Sequence, residues 1–175
     1  MKIPVFLSIS SPWNEAQEIF LKKFRTQLSK RGFEPRTLGV SDYDVQAPLA
    51  GCRRLMMECN GLITLAFRRN EIKTGISRPG KNDDLDGKWL TSAFCQIEPA
   101  MAYQLGLPIL IFTEDGVLEQ GVLERGCLGL YMPKFDLSSK NIDHYFRTVE
   151  YNDLMDKWGQ NVRTVWDRKG KIDLY

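Results

Sequence analysis

The 175-residue sequence is poor in the features that usually announce a chemistry. Its charge nearly cancels, 24 lysines and arginines against 22 aspartates and glutamates, for a net of +2. That balance supplies no counterion-release drive toward nucleic acid. A single histidine, His144, and four cysteines without a C-x-x-C pair offer no zinc ligand set, so no metal is expected. Cys52 and Cys59 fall on one predicted helix, where seven residues rise roughly 10 Å, beyond disulfide reach. Reduced, mostly buried thiols are the expectation. No stretch approaches about 18 uninterrupted apolar residues, so no membrane span is predicted. The opening "MKIPVFLSISSPW" turns polar too soon for a signal peptide; the chain reads as cytoplasmic, with neither membrane nor nucleic acid as partner. Internal repeats and low-complexity tracts are missing. So is a glycine-rich phosphate loop, because "GVLEQG" and "GKNDDLDG" lack a preceding strand and a following helix.

What is present describes an ordinary folded domain, with 43% hydrophobic and 26% charged residues. "IPVFLSI" at 3–9 predicts a buried central strand. Ser11 and Pro12 then suggest a helix start, and Ile19, Phe20, Phe24 and Leu28 recur at helical spacing until Gly32. "FEPRTL" at 33–38 predicts a strand that Pro35 confines to an edge. A short helix through "LAGCRRLMMEC" precedes the solidly apolar strand "LITLAF". Residues 68–88, with three glycines, a proline and ten charges, show no period and are expected to be a loop, either a lid or an insertion. A helix ending at Leu105, a stop at Gly106 and the strand "PILIFT" follow. "GVLEQGVLERG" suggests a short helix or an irregular excursion, and "LGLYM" a fifth strand. From Ser138 the pattern is helical, with Tyr145, Val149, Leu154, Trp158, Val162 and Trp166 as packing positions.

Alternating strands and helices with apolar strands predict a three-layer α/β sandwich around a mostly parallel five-stranded sheet, for which the order 2-1-3-4-5 is simplest. Residues 1–175 read as one domain, with 138–175 a C-terminal helical extension. Ligands in such sheets bind beyond the carboxyl ends of the strands. That rim would carry Ser8 and Ser10 after the first strand, Phe67 and Arg68 after the third, Thr113 and Glu114 after the fourth, and Glu98 near the start of the helix after the third.

The stretch "WLTSAFCQIEPAMAYQLGLP" at 89–108 sets Glu98 in apolar surroundings. "VFLSIS" at 5–10 resembles the first box of Toll/interleukin-1 receptor (TIR) domains, and "WLTSAFCQIE" resembles their S-x-W-C-x-x-E segment, Cys95 and Glu98 matching. Here Phe94 precedes the cysteine and Trp89 lies earlier. The segment is also similar to the E-x-G-Y-A-x-A-x-G-K-P pattern of nucleoside 2-deoxyribosyltransferases, with Glu98, Ala102, Gly106 and Pro108 at matching offsets and Ala100 in place of the first glycine. The resemblance spans residues 3–113. It implies a flavodoxin-like fold and an enzyme that breaks a bond at the anomeric carbon of a ribose, with Glu98 as its catalytic acid. It further implies NAD as substrate rather than cofactor, cleavage of the nicotinamide N-glycosidic bond to a linear or cyclised ADP-ribose, and a role in bacterial anti-phage defence or signalling. Two alternatives stand beside it. One is a nucleoside or nucleotide N-glycosidase or deoxyribosyltransferase; the other is a non-catalytic module that binds a nucleotide or assembles with copies of itself.

A carboxylate near a helix N-terminus is expected to be ionised at neutral pH. It then suits an oxocarbenium-like ribosyl centre better than proton donation. Nicotinamide leaves NAD as a neutral molecule and needs no proton, whereas a nucleoside base usually does. Glu98 also suits a plainer role, as an acid at a helix start worth a few tenths to about 1 kcal/mol. For contacts to substrate the sequence offers Ser8 and Ser10 to ribose or phosphate, Trp13 and Trp89 to a base, Cys95 beside the acid, and Arg68, with Arg69, to a pyrophosphate.

Overall fold

The computed structural model describes residues 1–42, 47–81, 83–128, 132–138 and 142–169. Strand β1 (Ile3–Ile9) runs through the interior with Val5, Phe6, Leu7 and Ser8 all buried. Helix α1 (Glu15–Lys30) starts three residues later than Ser11 and Pro12 suggested. Asn14 is its cap, accepting a 2.9 Å hydrogen bond from Gln17 N, and Glu15 and Glu18 in the first turn favour the dipole. Phe20, Phe24 and Leu28 form its buried stripe, while Ile19 is exposed. Strand β2 (Phe33–Arg36) pairs with β1 on one side, which is how Pro35 is tolerated.

Helix α2 (Pro48–Glu58) opens on a proline at its first position, and β3 (Leu62–Ala66) is buried at every residue. The predicted 68–88 loop is instead built as two antiparallel ladders: β4 (Asn70–Glu71) pairs with β7 (Trp89–Leu90), and inside them β5 (Ile76–Ser77) pairs with β6 (Asp83–Asp84). These ladders are two residues long and none of their side chains is fully buried, so no hydrophobic period betrays them. Backbone bonds close them, among them Ile72 N to Lys88 O at 2.8 Å and Leu85 N to Gly75 O at 2.9 Å.

Helix α3 (Phe94–Gln104) leads to β8 (Ile109–Glu114); a single 3₁₀ turn occupies Gly121–Leu123. The fifth strand, β9, is Lys134–Phe135 rather than the "LGLYM" run, of which residues 129–131 lie outside the described residues. Phe135 anchors it by stacking on Phe20 at 4.3 Å. Helices α4 (Ile142–Tyr145) and α5 (Val149–Lys169) complete the order. On α5 the buried positions are Tyr151, Met155, Trp158 and Val162, whereas Val149, expected to pack, begins the helix and is exposed.

The five main strands form one parallel sheet in the order β2-β1-β3-β8-β9, which is 2-1-3-4-5 counted along this sheet. Residues of α1 and α5 pack with Val5, Leu7, Ile63, Leu65, Leu110 and Phe112 on one face. The other face presents Phe6, Leu62, Ala66, Ile109 and Ile111 to α2 and α3. This is a three-layer flavodoxin-like α/β sandwich. Among the described residues no helix is long and apolar enough to cross a membrane, and no group of three or more His, Cys, Asp or Glu side chains is placed to hold a metal ion.

Candidate active site

Strand order reverses between β1 and β3, since β1 is flanked by β2 on one side and β3 on the other. In a parallel sheet such a reversal opens a crevice beyond the strand ends. A cavity of about 640 Å³ is found there. Ile9 and Ser11 follow from β1, Thr37 to Val40 from β2, Pro48 and Cys52 from α2, Arg69 and Asn70 from beyond β3, and Thr91 to Phe94 with Glu98 from the approach to α3. Its size is that of sites for small organic ligands, roughly 300–1,000 Å³.

Glu98 enters this crevice from the inner side of α3. Cys95, Glu98 and Ala102 are buried at spacings of three and four, the stripe by which the helix packs on the sheet. A position that would ordinarily take an apolar residue therefore carries a carboxyl. It is 7% exposed, and among the described lining residues it is the sole acid, with Arg69 the sole cation. The helix begins at Phe94, one turn ahead of Glu98, and its first N–H is met at 3.3 Å by the Ser92 hydroxyl, which accepts. Glu98 is thus not an N-terminal capping acid. Pro99, inside the helix, lacks the N–H that would bond the Cys95 carbonyl.

The shift of this carboxyl runs opposite to the one a helix N-terminus favours. Burial pushes the Glu98 carboxyl above the ordinary glutamate range, and the Ser8 hydroxyl and Cys52 thiol beside it offset this only in part. The cause is desolvation in the interior of the fold, which outweighs any help from the helix dipole. Cys52 Sγ donates to Glu98 Oε1 at 3.4 Å across the α2–α3 interface. Burial and the neighbouring carboxyl push the Cys52 thiol up to about 12, so it remains a protonated donor.

Ser8, Ser10 and Cys95 lie beneath the crevice rather than on its wall, each no more than 1% exposed. Cys95, its thiol also pushed up to about 12 by burial, sits 3.8 Å from the Leu65 carbonyl. The register pairs Ser8 with Thr64 and Ala66 with Thr113, so Ser8, Ser10, Thr64 and Thr113 fall on the α2–α3 face of the sheet. Their hydroxyls are buried without a hydrogen-bond partner of good geometry, as is that of Thr91 on the crevice wall. Such hydroxyls accumulate where water or a polar ligand completes the set.

Trp13, Trp89 and Arg68 do not line the crevice. The two indoles stack on each other, 6.1 Å apart and 16° from parallel, and Trp13 Nε1 donates to the Arg68 carbonyl at 2.7 Å. The Arg68 guanidinium lies 5.8 Å from the Trp89 ring and donates through Nε to the Asp115 carbonyl. Beneath them Glu114 accepts from Arg68 N and Gln17 Nε2, each at 2.8 Å. These residues clamp the ends of β3 and β8 to α1. Arg69, one residue on, reaches the crevice instead, since consecutive residues in extended chain point to opposite sides. Sequence reasoning did not single out Cys52, Thr37, Asn70, Thr91 or Ser92 as lining residues; they come from separated segments with no common motif.

No protein-family profile and no curated protein matches the chain. Solved structures with a similar course include three. The CMP N-glycosidase BcmB of Clostridium botulinum has 15% identity and a TM-score of 0.48, over 84% of this chain and 98% of that one. The TIR domains of the activated Roq1 resistosome, which directly recognises the pathogen effector XopQ, have 12% identity and a TM-score of 0.41, over 94% and 83%. The flavodiiron core Flv1 from Synechocystis has 9% identity and a TM-score of 0.49, over 95% of this chain and 36% of that one. These likenesses are of chain course alone.

Proposed function

We propose that the protein is an N-glycosidase of nucleotides, with Glu98 the carboxylate that meets the anomeric carbon. The observation that carries this reading is a single carboxyl, 7% exposed, on the wall of a crevice of about 640 Å³ at the sheet's switch point. An isolated carboxyl at a core-stripe position is costly to fold around. Its low-dielectric surroundings strengthen its attraction for positive charge developing on a ribosyl ring.

As the glycosidic bond breaks, its electron pair leaves with the base and C1′ becomes oxocarbenium-like. Ionised Glu98 stabilises that centre, or traps it as an ester whose C1′–O bond breaks again as water adds to C1′ and loses its proton to solvent. NAD is the leading substrate under this reading, because nicotinamide departs neutral without a proton and the crevice offers one acid. Arg69, at the mouth, suits a phosphate or pyrophosphate.

One observation favours a second reading. A carboxyl that burial makes reluctant to ionise can also hand a proton to a base that would otherwise leave as an anion, which suits a nucleoside or 5′-mononucleotide. Chromatography of free base after incubation with NAD, nucleosides and 5′-mononucleotides separates the two. Release of nicotinamide alone supports the first and release from mononucleotides the second. No base from any of them refutes both.

A further inference from the structure

We propose that Cys52 is a positioning residue for Glu98, its thiol reaching from α2 to hold the carboxylate oriented in the crevice. The kinetic consequence rests on the N-glycosidase reading; the contact itself does not. The two side chains come from different helices, both line the same crevice, and their sulfur and oxygen stand 3.4 Å apart. Cys52 is 1% exposed and packs among Leu55, Met56 and Leu62 on the rigid inner side of α2, so the donor's place is fixed by the core.

The groups that set the acidity of Glu98 are few. Burial acts first, and among the described residues it is opposed by the Ser8 hydroxyl from β1 and the Cys52 thiol from α2, while Cys95 lies on its own helix. Ser8 makes no well-aligned hydrogen bond, which leaves the thiol as the one donor with good geometry among the described residues. A thiol is a weak donor. It orients a carboxylate while leaving it basic and reactive, whereas an arginine in its place would lock the carboxylate as an inert ion pair. A buried cysteine of this kind is otherwise read as a small apolar filler.

The test is the titration of the Glu98 side-chain carboxyl, followed by carbon NMR on the full chain. The signal is assigned by its loss in Glu98→Gln. Cys52→Val fills the space without a donor, and Cys52→Ser supplies a stronger one. The titration is expected to move to higher pH in Cys52→Val and to lower pH in Cys52→Ser. The acid limb of the pH–rate profile for base release should follow in the same directions, with kcat changed more than KM. If Val overpacks and the chain fails to fold, Cys52→Ala takes its place under the same criterion. A Glu98 titration identical in wild type and donor-free variant overturns the proposal. The two readings fail separately: Glu98→Gln that turns over like wild type removes the glycosidase, while a silent Glu98→Gln with an unmoved titration removes only the role of Cys52.

Discussion

Replacing Glu98 with glutamine keeps the shape of the side chain and deletes its charge, and the structure sets opposite signs for the two consequences. On the stability side, the carboxyl has no cationic partner among the described residues and is held in the interior, so its ionised form is what folding disfavours. The variant keeps an amide oxygen to accept from Cys52 but weakens that bond by part of the about 0.5–1.5 kcal/mol such bonds contribute, and it is relieved of a buried charge. These offset, so a net change within about 1 kcal/mol, or roughly 2–4 °C in Tm, is expected at this size. Its pH dependence has a definite sign. An unfolded glutamate ionises near 4.5 and the folded one only at higher pH. Between those points the native state binds more protons, so wild type loses stability relative to Glu98→Gln as pH rises, and the difference vanishes at lower pH. On the activity side, loss of the acting carboxylate should cost at least about a hundredfold in base release, equivalent to about 2.7 kcal/mol of transition-state stabilisation. The assay is free-base chromatography beside thermal melts at pH 4, 6 and 8. Turnover within tenfold of wild type, or a variant that cannot fold, would show that Glu98 is a structural residue.

Three further outcomes follow from the packing. Arg69→Ala is expected to raise KM for a phosphate-bearing substrate about tenfold and leave Tm unchanged, since this exposed side chain lines the crevice; Arg68→Ala should instead lower stability by about 1 kcal/mol with little effect on KM, because its guanidinium rests against Trp89 and Asp115. Gly61→Ala would drive a methyl to 2.5 Å from Val162 Cγ2 and 3.1 Å from Trp158 Cζ2, an overpacking that costs about 1–3 kcal/mol, read as a lower Tm in calorimetry.

Much of the scaffold is legible in the chain because burial on both faces writes itself as apolar runs. β1, β3 and β8 carry such runs, and the right-handed crossover rule fixes their order. Glu98 stands out for the related reason that it interrupts a core stripe. Less could be read where backbone bonding rather than side-chain period makes the structure, as in the nested ladders of 70–90, or where a two-residue strand such as Lys134–Phe135 is too short for a pattern.

The sequence by itself determined the layered parallel sheet and placed one acid at its rim, because periodicity and spacing are local properties. Tertiary structure alone decided what that acid experiences. Desolvation and hydrogen bonding act between segments far apart in the chain, and so a sequence separation of 46 between Cys52 and Glu98 concealed a 3.4 Å contact. For the same reason Arg69 rather than Arg68 reaches the crevice, and Trp13 and Trp89 meet each other instead of a ligand. These outcomes turn on which face of the chain is occupied after folding, and that depends on every element packed around it.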